Sequence, residues 1–151
     1  MEFAIALPIL ILLVAGLLEL SRGYAVAVAT SNAARDGARY VAGKTAATDG
    51  PGLANMCSLI KADLAAVTTN VSCPTQIGHT PPFNIPADYT NPTGGQALVL
   101  VYCGTTGDCS GTVNTVYQSR IDVYVYYGFD DLNLLGGRIT ISGSSEAKTS
   151  W

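Results

Sequence analysis

The residues best suited to chemistry in this chain are four cysteines, at positions 57, 73, 103 and 109. None of them forms the close C-x-x-C pair that zinc sites commonly use, so disulfides are the better interpretation. Three pairings are possible, and we favour Cys57–Cys73 and Cys103–Cys109 because each closes a local loop. Structural disulfides form in oxidising surroundings, which predicts that this part of the chain lies outside the cytoplasm.

The other reactive residue types do not form a catalytic set. The only histidine, His79, has no cysteine or acidic cluster near it in the sequence, and we interpret it as a surface residue. Asp130 and Asp131 are adjacent, and adjacent strand residues point to opposite faces, which favours a loop charge pair over a metal site. The chain has no G-x-S-x-G elbow and no glycine-rich phosphate loop. We therefore expect no catalytic, metal or cofactor-binding residues and no enzyme activity.

Charge and composition argue against a nucleic-acid surface. The chain has 151 residues, a net charge of −3 and only 13% charged residues, well below the typical quarter. Nucleic-acid binding needs a basic patch or stripe. Beyond Lys44 the only basic residues are Lys61, Arg120, Arg138 and Lys148. The low charge, with many Ser, Thr, Gly and Tyr residues, is typical of an extracellular surface that packs against copies of itself.

The element that must position everything else is a long helix predicted from Phe3 to Gly43. Residues 3–18 hold no charge, and Glu19 and Arg22 then follow three positions apart. They can pair within one helix, and we count both among the predicted assembly residues. Such a helix would be roughly 60 Å long, longer than a bilayer core is thick. No Lys or Arg precedes the apolar run, unlike a signal peptide. The helix is therefore interpreted as a membrane anchor, as a helix packed in an assembly, or as both.

Small residues in this helix predict close contacts between helices. Gly16, Gly23 and Ala27 recur at spacings of seven and four. Small side chains let helix backbones approach closely where the surroundings are apolar. We therefore predict that these three residues lie at contacts between copies of the chain. The small-x-x-x-small pattern recurs further along, at Ala33 with Gly37 and at Ala34 with Ala38.

Glu2 is the polar residue that the assembly hypothesis uses most. A lone carboxylate is costly inside an apolar core, and the nearest cation that every copy brings is the amine of Met1. We predict that a neighbour's Met1 neutralises Glu2 and fixes the axial step between subunits. The alternative is a favourable charge in the first helical turn, worth roughly 0.3–1 kcal/mol. Pro8 removes one backbone donor and predicts a local break in the helix.

The rest of the chain predicts a small α+β domain. Lys44–Gly52 is interpreted as a linker, and the breaks and apolar spacings beyond it define one helix and several strands. The predicted elements are a helix at Leu53–Val67 and strands at Asn70–Cys73, Gln96–Cys103, Asn114–Phe129 and Arg138–Ser142. The predicted fold is thus a long N-terminal helix over 1–44, followed by a globular domain over 45–151. In that domain the second helix packs on an antiparallel β-sheet.

Alternation assigns residues to the two faces of this sheet. In the strand ending at Phe129, one face carries Ile121, Val123, Val125 and Tyr127, and the other carries Arg120, Asp122, Tyr124 and Tyr126. Tyr124 and Tyr126 form either a contact patch for another subunit or ordinary cross-strand pairs. In the last strand, Ile139 and Ile141 are predicted to point inward.

Two further features lie between the helix and the sheet. Residues 74–95 are rich in proline and predict an extended surface loop. Asn70-Val-Ser72 matches an N-glycosylation sequon, which is a weak and frequent pattern.

Three consecutive blocks of the first helix give the chain a family resemblance. They run from Met1 to Leu13, from Gly16 to Gly23 and from Ser31 to Tyr40. In order, they resemble the TadE-like pilins and pseudopilins of tight-adherence systems, within the type IV pilin-like group. A weaker likeness returns at Asp122–Phe129 and Ile139–Ser142, where that family also ends in strands.

The resemblance implies that a prepilin peptidase removes a short polar leader before the Glu2-Phe3 pair. No leader precedes that pair here. Met1 is then either the first residue of a processed chain, or the resemblance does not extend to processing.

The resemblance also implies a function. We expect a structural pilin subunit that is held in the inner membrane before assembly and then polymerises through its N-terminal helix into an extracellular adhesive filament. Its partners would be copies of itself, the pilus assembly machinery and a prepilin peptidase. The alternative is a minor pseudopilin, or a membrane-anchored extracytoplasmic binding module, that does not itself form the fibre. Negative-stain imaging of native material discriminates these functions, because only the first yields fibres.

Overall fold

The computed structural model of the protein describes residues 2–42, 50–73, 85, 89–103, 120–130 and 138–148. These residues form two helices and four strands, and the fold class is α+β as predicted. The elements are α1 (Glu2–Ala42), α2 (Gly50–Leu64), β1 (Asn70–Ser72), β2 (Gln96–Cys103), β3 (Arg120–Asp130) and β4 (Arg138–Lys148).

Three predicted boundaries differ from the structure by more than one residue. The linker prediction was wrong at its end, because Gly50, Pro51 and Gly52 already belong to α2. Proline suits the first turn of a helix, where its missing N–H would have had no partner. α2 also ends at Leu64 instead of Val67, and β4 continues past Ser142 to Lys148. The predicted strand residues 114–119 lie outside the described residues.

The four strands form one sheet in the order β1-β2-β3-β4. β2 and β3 are antiparallel, as are β3 and β4, but β1 pairs with β2 in parallel. The prediction of a purely antiparallel sheet was therefore wrong. A hairpin turn would force an antiparallel pair, whereas the long connection from β1 to β2 is of a length that lets the chain cross over and re-enter in the same direction.

α1 lies along one face of this sheet and runs in the same direction as β4. Near the middle of the helix, the backbone of Thr30 and Ser31 lies so close to Gly143 that an added Cβ would come within 2.6 Å of it. Further along, a Cβ at Gly37 would meet Ile60 of α2 and Val123 of β3. The second half of α1 is therefore in direct contact with both α2 and the sheet.

The main core fills the space between the helices and the sheet. α1 contributes Ala33, Ala34 and Ala38, each at most 1% exposed. α2 adds Met56, Ile60 and Leu64, and the sheet adds Ala97, Val99, Val101, Ile121, Val123, Val125, Tyr127 and Phe129. The small residues in the second half of α1 are thus used inside the subunit. Whether 1–44 and 45–151 behave as separate units stays a prediction.

Ile139 lies on the predicted face of β4, but its side chain is exposed instead of buried. Ile141 is partly buried against the main core, as expected, but Ile139 is 53% exposed. Both side chains are on the same face of β4. On that face, the described residues cover the strand only from Ile141 onward. Alternation therefore predicts the face on which Ile139 lies, but not its exposure.

The opposite face of the sheet is also covered. Leu98, Leu100, Tyr102 and Tyr126 form a second buried cluster, against which Ile85, Tyr89 and Tyr124 pack. The Tyr124 and Tyr126 rings are stacked with centroids 6.2 Å apart, and Tyr102 meets Tyr124 edge-on at 5.6 Å. Tyr126 is only 4% exposed. Tyr124 therefore makes a contact between strands with Tyr102, as in the second interpretation, and Tyr126 is not an open contact patch.

Tyr102 has an unusual position within this second cluster. Its hydroxyl is buried and has no hydrogen-bond partner among the described residues. Burial, with smaller contributions from Tyr126, Tyr89 and Tyr124, raises the pKa of Tyr102 to about 12. The folded protein therefore holds the phenol proton more tightly than the unfolded chain does.

Replacing Tyr102 with phenylalanine should raise the free energy of unfolding by about 1 kcal/mol at neutral pH, because it removes a buried hydroxyl that finds no hydrogen-bond partner in the described part of the chain. Wild-type stability should fall as pH rises from 10 to about 12, since the unfolded tyrosine loses its proton in that range while the folded one keeps it. The variant should lack most of this decline. Urea unfolding at neutral pH and at about pH 11 measures both effects.

Tyr24→Phe is the matched control, because Tyr24 is 72% exposed. It should change neither the neutral stability nor the alkaline decline. A loss of stability in Tyr102→Phe would show that the hydroxyl has a hydrogen-bond partner after all.

Candidate assembly and membrane-insertion surface

The first half of α1 exposes large apolar side chains on every side. Ile9 to Val14 are six consecutive residues, more than one helical turn, and all of them are exposed. A helix that is apolar all round is normally buried in protein or lipid. The exposed set on this half comprises Phe3, Leu7, Ile9, Leu10, Ile11, Leu12, Leu13, Val14, Leu17, Leu18 and Leu20. This surface, which we call the apolar stalk (residues 3–20), has no cover from the described parts of its own chain.

The helix also meets the requirements for crossing a membrane. Within the described residues, one segment, Ala6–Tyr40, has the length and composition of a span. Its most apolar 18 residues have a mean hydropathy of 1.8, and only 6% of these residues are buried. A bilayer core needs about 20 such residues. Length and composition thus support membrane insertion of α1.

The prediction that Pro8 breaks the helix was wrong. α1 continues through it from Glu2 to Ala42. Proline removes only its own N–H and contacts the preceding turn. Pro8 lies near the start of α1, so only the short segment before it is affected by that loss. The backbone can therefore stay helical.

The charged pair at the end of the stalk, Glu19 and Arg22, lies against the globular part. Nη1 of Arg22 donates a hydrogen bond to Oε1 of Glu19 at 3.3 Å, and the guanidinium lies over the Phe129 ring, 5.7 Å from its centroid. The Glu19 side chain is 15% exposed and the Arg22 side chain 59%. The predicted pairing within the helix is present, and Arg22 is the more exposed residue of the pair. Oε2 of Glu19 is buried and accepts no hydrogen bond from the described residues.

Glu19 and Arg22, which belong to the predicted assembly set, pair within the subunit, whereas the small residues of that set have no role that the subunit itself explains. Gly16 is exposed, and Gly23 and Ala27 are half-buried. A Cβ added at Gly16 or Gly23 would meet nothing within 4 Å. Their part in contacts between copies stays a prediction. Glu2 begins α1, but its side chain and all of Met1 lie outside the described residues, so their contact also stays a prediction.

A groove of about 870 Å³ lies between the middle of α1 and the end of α2. Asp36 and Asp63 both line it, and Arg39 approaches Asp36 at 3.7 Å. Burial, and secondarily the charge of Asp36, raises the pKa of Asp63. Sequence reasoning missed this carboxylate pair, because only the packing of α1 on α2 brings positions 36 and 63 together.

The described residues contain one of the two predicted disulfides. A disulfide joins Cys57 of α2 to Cys73, directly after β1. Cys103 ends β2, but Cys109 lies outside the described residues, as do His79 and Asp131, so that second bridge stays a prediction. Asn70 is exposed at the start of β1, and its glycosylation is likewise untested. The described residues contain no group of three or more His, Cys, Asp or Glu that could hold a metal.

The comparison with known families agrees with this geometry. Residues 1–39 match the family model described as TadE-like protein, which confirms the resemblance over the stalk and most of the packed half of α1. That family is pilus-related and in general not enzymatic. No curated protein and no solved structure gives a significant match.

Proposed function

We propose that the protein is a structural pilin subunit that polymerises through α1 into an extracellular filament of the tight-adherence type. One observation carries the proposal. A single continuous helix, α1, has its first half exposed and apolar on every side, whereas its second half is built into the core of the globular part.

The energetics of the stalk require a second environment. Burying one Leu, Ile or Phe side chain contributes about 1.5–3 kcal/mol relative to leaving it in water. Phe3, Leu17 and Leu20 are among the most exposed, at 87%, 66% and 71%. Lipid accepts these side chains before assembly, and a bundle of stalks from neighbouring copies accepts them afterwards. The globular part then faces outward, because the second half of α1 fixes it to the bundle.

Polar contacts set the register in this proposal. Glu2 of one copy pairs with Met1 of a neighbour inside the bundle, since an unpaired buried charge penalises every other axial step. The inner membrane, the pilus assembly machinery and a prepilin peptidase are the proposed partners before polymerisation. The family match over residues 1–39 supports a pilus-related protein, and the partners follow from the proposal.

Gly23 offers the sharpest test, because a Cβ there meets nothing within 4 Å in the isolated subunit. Gly23→Leu should therefore leave the domain folded but strongly reduce the yield or length of fibres, as it adds bulk at a contact between helices. Gly23→Ala is the matched variant, and its smaller side chain should have a smaller effect. Negative-stain imaging scores the fibres, and circular dichroism with urea unfolding scores the fold.

The outcomes separate the two functions left open by the sequence. Wild-type fibres that are lost only in Gly23→Leu support the structural subunit. Normal fibres from Gly23→Leu would show that Gly23 faces open space in the filament. If the wild-type protein yields only discrete particles, a minor pseudopilin or an anchored binding module replaces the proposal.

A further inference from the structure

The end of the sheet nearest the stalk forms a surface at the edge of the main core, to which Phe129 belongs. β3 and β4 pair Phe129 with Ile139 at this end, and the Arg22 guanidinium lies over Phe129. Residues from three different elements, Arg22, Phe129 and Ile139, therefore meet at one level along α1. We call them, together with Tyr24, the collar.

We propose that the collar rests on the headgroup region of an anionic bilayer while the subunit is membrane-inserted, with Arg22 at the level of the lipid phosphates. This inference rests on the membrane stage of the proposed function. It adds that the globular part sits directly on the lipid surface instead of standing away from it.

The length of the stalk places the collar at the right height. Residues 3–20 extend about 27 Å at 1.5 Å per residue, close to the roughly 30 Å of a bilayer core. Arg22 and Tyr24 follow immediately. Arg and Tyr are the side chains that membrane proteins concentrate at the interface, where a charged or hydroxyl end reaches water and the remainder contacts lipid.

Ile139 supplies an independent observation, because it does not belong to α1. It is the one large apolar side chain of the described strands that is counted as exposed, at 53%. The pairing with Phe129 holds it beside the collar arginine. An isoleucine exposed at this level buries its apolar surface when the sheet end touches the acyl–headgroup boundary.

The charges at the collar favour an anionic surface. The Arg22 side chain is 59% exposed, whereas that of Glu19 is only 15% exposed. A lipid surface at this level therefore contacts the guanidinium more readily than the carboxylate. Asp130, the described acid at this end of β3, has its carboxyl group beside Gly94, just before β2. A basic residue near an anionic leaflet favours binding by about fivefold.

Depth-dependent fluorescence quenching in vesicles tests the inference with the full chain. The single native tryptophan is first removed as Trp151→Phe. Tryptophan is then placed at the collar (Ile139→Trp), further along the same strand (Ser144→Trp) or in the stalk (Leu10→Trp). The vesicles contain phosphatidylcholine brominated near the ester end of its acyl chains, with or without a third of phosphatidylglycerol.

The inference expects strong quenching at 10, clear quenching at 139 and little at 144. Quenching at 139 should increase with phosphatidylglycerol, and Arg22→Gln should remove that increase. Equal, weak quenching at 139 and 144 with a quenched position 10 would overturn the collar but leave membrane insertion intact. An unquenched position 10 would overturn the membrane stage of the proposed function and the collar with it.

Discussion

Replacing Gly143 with alanine should lower the free energy of unfolding of the globular part by about 3 kcal/mol or more, at the upper end of the usual cost of overpacking. An added Cβ would lie 2.6 Å from the backbone nitrogen of Ser31 and from the carbonyl carbon and oxygen of Thr30. A flexible side chain could move aside, but these atoms belong to the backbone of α1. The helix must therefore shift away from β4, which opens the core beneath Ala33 and Ala34.

Gly23→Ala is the matched control for this experiment. Both variants make the same change and restrict the unfolded chain similarly, but a Cβ at Gly23 meets nothing within 4 Å. The control should keep or slightly raise stability, because alanine favours helix by up to about 1 kcal/mol over glycine. Urea unfolding of the detergent-solubilised chain measures both. Equal stability of the two variants would show that α1 and β4 are further apart than described.

Removing the disulfide through the double variant Cys57→Ala with Cys73→Ala should cost about 3 kcal/mol, the value expected for a closed loop of this size. The bridge joins residues 16 apart in sequence. It holds the end of β1, which has only three residues and pairs only with β2. Amide exchange at Val71 should therefore accelerate more than exchange in β3.

Reduction of the wild-type protein provides the comparison. If Cys103 and Cys109 form the second predicted bridge, reduction should destabilise the wild type more than the double substitution does, because it breaks both. Equal losses would show that those two cysteines are not bridged to each other. An unchanged urea midpoint in the double variant would contradict the stabilising role of the Cys57–Cys73 bridge.

Much of this fold follows from local pattern. The alternation around Val123 and Val125 identified β3 and its core-facing side chains, since a strand buried on one side must repeat every second residue. The uncharged run before Glu19 identified the stalk for a similar reason, because only lipid or protein accepts such a surface.

What the sequence could not predict depends on contacts between distant elements. A strand of three residues, such as β1, carries no signal for its direction. The pattern of Ala33 and Gly37 suits a contact with any helix, and only the folded chain shows that the partner is its own α2 and sheet. The burial of Tyr126 likewise depends on Ile85 and Tyr89, which come from a proline-rich connection without periodicity.

The direction of α1 relative to β4 has a mechanical consequence. In a fibre held together by stalks, a load on the globular part pulls along the helix axis. Because the second half of α1 lies lengthwise against β4 and comes closest to it at Gly143, that load acts as shear across the whole helix–sheet contact. Contacts loaded in shear resist together, whereas contacts that are peeled break one at a time. In the proposed filament, tension would therefore pass through the same helix that holds the subunits together.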